Sequence, residues 1–155
     1  MSYAIRRAAP DDAALLAEHR ARVWREVGDW DAEELAPQIP VWTEWMRGAL
    51  ADGTYAAWIA EDDDREAIGS GAVLVHLAIP RPGSSSDHAG RVQSVYVVPS
   101  ARRSGVARAI MEEAITFARV TNLVFLALHP SDEARPLYES LGFANTDEML
   151  LRFGR

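Results

Sequence analysis

Apolar positions along this chain change their spacing in blocks, and each block predicts an element. Tyr3 to Arg7 reads as a short strand. Pro10-Asp11-Asp12 then supplies helix-start chemistry ahead of Ala13, Leu15, Leu16 and Val23. A second helix is predicted around Val41 to Leu50, where Trp42, Trp45 and Met46 recur at helical spacings, with its end near Asp52-Gly53. Tryptophans so spaced belong first to a core. Tyr55 to Ala60 and Ala67 to Leu77 are rich in strand-compatible residues. The acidic run Glu61 to Glu66 between them fits a solvated hairpin tip, so the two strands are expected to be antiparallel. Pro80 to Gly90 concentrates proline, glycine and serine and reads as a surface loop.

Beyond that loop the order becomes βαβαβ. It runs strand Val92 to Val98, helix from Gly105 to Arg119, strand Leu123 to Leu128, helix Asp132 to Leu141 and strand Glu148 to Phe153. In the first of these helices Val106, Ala109, Ile110, Ala114 or Ile115, Phe117 and Ala118 share a face, leaving Glu112, Glu113 and Arg119 to water. The unbroken apolar run Leu123 to Leu128 predicts a strand covered on both faces.

Composition narrows the function classes. With 155 residues, 48% of them hydrophobic, the chain is expected to form one domain over 1–155. No stretch approaches a membrane span, and the expectation is a soluble, cytoplasmic protein without membrane partners. The absence of cysteine excludes disulfides, thiolate metal sites and a cysteine nucleophile. His19, His76, His88 and His129 are too scattered to suggest a metal site. The net charge of -7 argues against nucleic acid, because that binding depends on basic residues neutralising phosphates.

The informative segment is Val95-Tyr96-Val97-Val98-Pro99 followed by Arg102-Arg103-Ser104-Gly105-Val106-Ala107 and an amphipathic helix. A strand there delivers a glycine-containing turn to a helix start, whose free N–H groups and dipole suit a pyrophosphate. Arg102 and Arg103 can add charge-assisted contacts. The segment is neither the Walker GxxxxGK[ST] loop nor the GxGxxG fingerprint, which makes ATP and NAD poor candidates.

Arg102-x-x-Gly105-x-Ala107 resembles the (Arg or Gln)-x-x-Gly-x-(Gly or Ala) motif of the Gcn5-related N-acetyltransferase (GNAT) superfamily. Ala134-x-x-x-Tyr138-x-x-x-Gly142-Phe143 is similar to that family's second characteristic segment. The resemblance implies an α/β (α+β) fold, with a mixed, mostly antiparallel central sheet, helices on both faces and a splayed strand pair. It implies an N-acetyltransferase that moves an acetyl group from acetyl-CoA to a primary amine in a ternary complex, without a metal. Cofactor contacts would fall to Arg102, Arg103, Ser104, Gly105, Val106 and Ala107 at the pyrophosphate, and to the backbone of Val95 and Val97 along the pantetheine arm. Ser131 stands where the family commonly has asparagine, and its hydroxyl lacks the amide's reach.

By the same resemblance Tyr138 protonates the departing thiolate, and the Val97 N–H is a reasonable oxyanion donor. From spacing alone Tyr138 is a helix residue packing beside Leu137 and Leu141. For the base, His129 at the end of the apolar strand is the first candidate, with Glu148, Glu61 or a water chain as alternatives. The acceptor class spans small-molecule amines and protein N-terminal or lysine amines, and the helix carrying Trp42 can line its pocket. Many proteins of this look dimerise, which favours a homodimer. The competing reading is a non-catalytic acyl-CoA-binding sensor.

Overall fold

The computed structural model describes residues 1–154. In chain order it contains β1 (Tyr3–Arg7), α1 (Ala13–Val27), α2 (Ala32–Leu35), α3 (Gln38–Asp52), β2 (Tyr55–Asp62) and β3 (Ala67–Leu77). Then follow β4 (His88–Val97), α4 (Val106–Val120), β5 (Leu126–Ala127) and α5 (Arg135–Ser140). The strands form one sheet in the order β1-β2-β3-β4-β5, antiparallel throughout except for the parallel β4–β5 pair.

Side chains alternate across a strand, and in β2 both faces are covered. Tyr55, Ala57 and Ile59 pack under α1 and α3 with Leu16, Ala17, Met46 and Ala49. Ala56, Trp58 and Ala60 pack on the other face with Val106, Ile110 and Ala114 of α4. Ile59 and Ile110 are almost wholly enclosed, and each such burial contributes about 1.5–3 kcal/mol. The β2–β3 hairpin turns as expected on its acidic run: Asp62 accepts from the backbone N–H groups of Asp64 and Glu66. Helix α3 ends at Gly53, which adopts the left-handed conformation at φ 84.

Several expectations are corrected. Of Leu123 to Leu128, only Leu126 and Ala127 join the β4 ladder, and the run is half-buried, not covered on both faces. The final helix is shorter than Asp132 to Leu141, because Pro136 has no N–H to offer an earlier turn and fits only near the helix start. Glu148 to Phe153 forms no strand, and Met149, Leu150, Leu151 and Phe153 are exposed. Trp45 is exposed too, so the core at that turn of α3 is Met46 with half-buried Trp42. On α4 the fully covered Met111 belongs to the buried face that the spacing had drawn through Ala109. Among the described residues no helix is long and apolar enough to cross a membrane.

Candidate functional site

Strands β4 and β5 are tied from the Val124 N–H on the His88 carbonyl and the Gly90 N–H on the Phe125 carbonyl to the pairs Gly90–Leu126 and Arg91–Ala127, and past Arg91–Ala127 they part. The opening begins where β4 itself is irregular. Opposite β3, the register passes from Ser70–Tyr96 to Ala72–Gln93, so Ser94 and Val95 together face Gly71. Ser94 takes a φ of 52 there, as a β-bulge with a left-handed residue requires. Past the bulge the Val98 N–H donates to the Ile68 carbonyl on β3. Backbone groups of successive residues alternate between the two sides of a strand, so Val97 and Val95 direct theirs away from β3, toward the opening.

The turn after β4 has the backbone geometry of an anion cradle. Arg103 and Gly105 are left-handed, at φ 60 and φ 87, with Ser104 between them, and such alternation turns successive N–H groups to one side. The Ser104 hydroxyl donates to the Ala101 carbonyl and fixes the turn. The first intrahelical bond of α4 runs from the Ala109 N–H to the Gly105 carbonyl. The N–H groups of Val106, Ala107 and Arg108 therefore precede the ladder and can hold an anion at the positive end of a 15-residue helix. Arg103 is exposed beside this end. Arg102 points elsewhere: its Nε donates to the Val97 carbonyl at 2.9 Å and its Nη2 to Glu26 at 2.6 Å, and Glu26 raises its pKa.

Tyr138 sits in the wedge between the parting strands. It is 8% exposed and packs with Val92 and Val95 of β4, Leu126 of β5, Leu128, and Met111 of α4. Its ring meets Phe143 edge-on at 5.9 Å, and burial raises the pKa of its phenol. The hydroxyl makes no hydrogen bond among the described residues. No enclosed side-chain oxygen or nitrogen there lacks a partner, so this hydroxyl is not sealed from solvent. His129 is exposed two residues beyond β5. Because β4 and β5 are parallel, it flanks the same end of the opening as Val97. Ser131 accepts a hydrogen bond from the Ala134 N–H at 3.3 Å and so stabilises the turn before α5, while its own proton stays available. Glu61 is bound by Arg6 at 2.6 Å on the β1–β2 side of the sheet, far from this opening, and Glu148 pairs with Arg91 at 3.3 Å. Among the described residues no cluster of His, Asp or Glu is suited to hold a metal.

Sequence reasoning missed the other face of the bulge. His19 of α1 is 3% exposed, with Nδ1 2.7 Å from the Ser70 hydroxyl and its ring 4.9 Å from that of Tyr96. Burial first, and then the nearby Arg22 charge, hold its pKa down to about 4. One turn of the same helix carries Arg20 onto Ser94 and Gln93, above the indoles of Trp24 and Trp42. The available signal was a slip in the strand pattern: Val92, Val95 and Val97 cannot share one face of a regular strand, and Gln93-Ser94 marks where the period breaks.

The family model of the acetyltransferase (GNAT) domain matches residues 53–145, which include β4, the cradle and α5. A search among curated proteins gives no match. Among solved structures, a GCN5-related N-acetyltransferase from Ralstonia eutropha JMP134 is 29% identical with a TM-score of 0.87, covering 98% of this chain and 99% of that one. A predicted acetyltransferase with acetyl-CoA from Clostridium acetobutylicum is 24% identical with a TM-score of 0.86, covering 98% and 96%. The glucosamine-6-phosphate N-acetyltransferase of Arabidopsis thaliana shares the fold at 14% identity, with a TM-score of 0.69 over 99% of each chain. A parted parallel strand pair, an anion cradle opening α4 and a tyrosine in the wedge, joined to a family match over more than half its length, make this chain a member of the GNAT acetyltransferase family.

Proposed function

We propose that the chain, as one domain over residues 1–155, is an N-acetyltransferase that moves the acetyl group of acetyl-CoA directly to a primary amine while both are bound. The observation that carries this reading is Tyr138 wedged between two diverging strands, with an anion cradle after the end of β4. The cradle fits a pyrophosphate chemically, through the N–H groups of Val106 and Ala107, the αL turn at Gly105 and the exposed Arg103. The Clostridium relative, so similar in fold, is named with acetyl-CoA.

Acetyl-CoA, when bound, supplies an activated thioester. Val95 and Val97 offer backbone groups to the extended arm, and the Val97 N–H donates to the carbonyl oxygen as negative charge builds on it. Tyr138, kept protonated by burial, gives its hydroxyl proton to the departing sulfur. His129, at the open end, takes the proton the amine loses. Ser131 can donate its hydroxyl to the arm. Holding both substrates in one opening removes much of the entropic barrier.

Calorimetric titration with acetyl-CoA, followed by thiol release across an amine panel, tests the proposal. The wild type is expected to bind, and Gly105→Glu to lose binding, because the substitution adds a side chain at φ 87 and negative charge at the cradle. Equal affinity of the two proteins refutes the cradle. Binding without release from any amine leaves only an acyl-CoA-binding module.

A further inference from the structure

Among the described residues Arg20 is a half-buried cation without a carboxylate partner. Arg6, Arg47, Arg65, Arg91 and Arg102 all form ion pairs with acidic side chains nearer the surface. Arg20 instead uses one nitrogen on neutral groups, Nη1 donating to the Ser94 hydroxyl at 2.9 Å and to the Gln93 amide oxygen at 3.4 Å. Its guanidinium carbon stands 5.6 Å from the Trp24 ring centre and 5.2 Å from that of Trp42. Desolvation disfavours its charge, and no carboxylate among the described residues pairs with it. In a chain of net charge -7, acids were available to neutralise it, and among the described residues none does.

The rest of the guanidinium is unused. Nε and Nη2 make no hydrogen bond among the described residues, and no enclosed side-chain nitrogen there lacks a partner, so neither is sealed from solvent. These two nitrogens form the planar fork that matches a carboxylate with two parallel bonds. The fork stands beside Ser94, the residue next to Val95, whose backbone lines the opening between β4 and β5. A group bound there lies on the face of β4 opposite the cluster around Tyr138.

We infer that Arg20 is the specificity-determining residue of the acceptor site, and that the acceptor is an amine that also carries a carboxylate, held by the Nε–Nη2 edge between Trp24 and Trp42. The inference rests on the acyltransferase reading above and names the substrate class of that same site. Lysine side chains and simple polyamines, which bring no nearby carboxylate, are then poor acceptors.

The test compares amino acids with their amides as acceptors in thiol release, for the wild type, Arg20→Met and Arg20→Lys. Thermal shifts with the N-acetyl amino acids and N-acetyl amino-acid amides run beside it, and coenzyme A is the control ligand. The wild type should prefer the carboxylate by roughly ten- to hundredfold in kcat/KM. Arg20→Met should bring that ratio close to one and Arg20→Lys should keep part of it. A structural role alone would lower both acceptors together and leave the ratio intact, which overturns the inference, as does a wild type that treats acid and amide alike. An Arg20-dependent preference for O-phosphoethanolamine over every amino acid overturns it too, replacing carboxylate by phosphate. Failure of coenzyme A to raise the Tm strikes the acyltransferase reading instead, and the N-acetyl acid against amide shifts still decide the role of Arg20.

Discussion

Stability should fall in mild acid because of one side chain. His19 is neutral in the folded protein, with its pKa held near 4 by burial and by Arg22, while an unfolded chain protonates it near 6.5. Above about pH 6.5 neither state binds the proton and His19 costs nothing. Below it the unfolded chain gains a proton that the folded one refuses, so stability declines as the pH drops and levels out under about pH 4. The gap corresponds to about 3 kcal/mol in full and about 2 kcal/mol by pH 5. Against the total stability of a typical domain, about 5–15 kcal/mol, that is a large share. Urea unfolding of the wild type and His19→Gln from pH 8 to pH 5 measures it, since carboxylates titrating in both proteins cancel in the difference. The amide of glutamine can still bond Ser70, so any fixed loss moves the offset and not the slope. The wild type should lose about 2 kcal/mol relative to the variant between pH 7 and pH 5. Parallel curves would refute the argument and mean that His19 is reached by water in the folded state.

Two further outcomes follow from packing and from the wedge. Tyr138→Phe keeps the ring contact with Phe143 and removes the hydroxyl, so kcat should drop by about 10²–10⁴-fold while coenzyme A affinity in calorimetry stays within about twofold; undiminished turnover sinks the assignment of Tyr138. At Gly90 a Cβ would stand 2.7 Å from both Leu126 and Val73 side-chain atoms and 2.9 Å from Leu123, so Gly90→Ala should destabilise by about 1–3 kcal/mol in urea unfolding, and an unchanged midpoint would show that β5 gives way freely.

The sequence was most legible where local rules and tertiary packing agree. β1, the β2–β3 hairpin and α4 were readable because turn residues bound each one and every apolar face found a partner. The C-terminal segments were not. Leu123 to Leu128 is apolar enough for a strand, and the Val124 and Gly90 N–H groups do bond across to its neighbour, yet hydrophobicity records burial and cannot say where two strands part. Met149, Leu150 and Leu151 are contiguous, without the alternation that would commit one face to a core, and they stay exposed. Among the proposed site residues, the Arg102 to Ala107 loop was visible as a structural feature because a helix start after a glycine turn is local. Arg20 was invisible, because an arginine on an amphipathic helix is ordinarily a wet one. Only the approach of Trp42 from α3 and of Ser94 from β4 makes it a buried cation.

One irregular residue organises both sides of the opening. In a regular strand Gln93 and Tyr96 would project to opposite faces, since side chains alternate with a period of two. Here Gln93 meets Arg20 and Tyr96 meets His19, both from α1, while Val92 and Val95 join the cluster around Tyr138. The bulge at Ser94 produces that arrangement by moving every later side chain of β4 to the other face. A non-glycine residue at positive φ costs about 1–2 kcal/mol, and such strain tends to be kept where function uses it. At Ser94 it does two things together. It aims Val95 at the wedge that holds Tyr138, and it leaves the Ser94 hydroxyl on the opposite face as the anchor for Arg20. The proposed donor side and acceptor side of the reaction thus stand on neighbouring residues of one strand, which is how a single opening can bring a thioester and an amine within reach of each other.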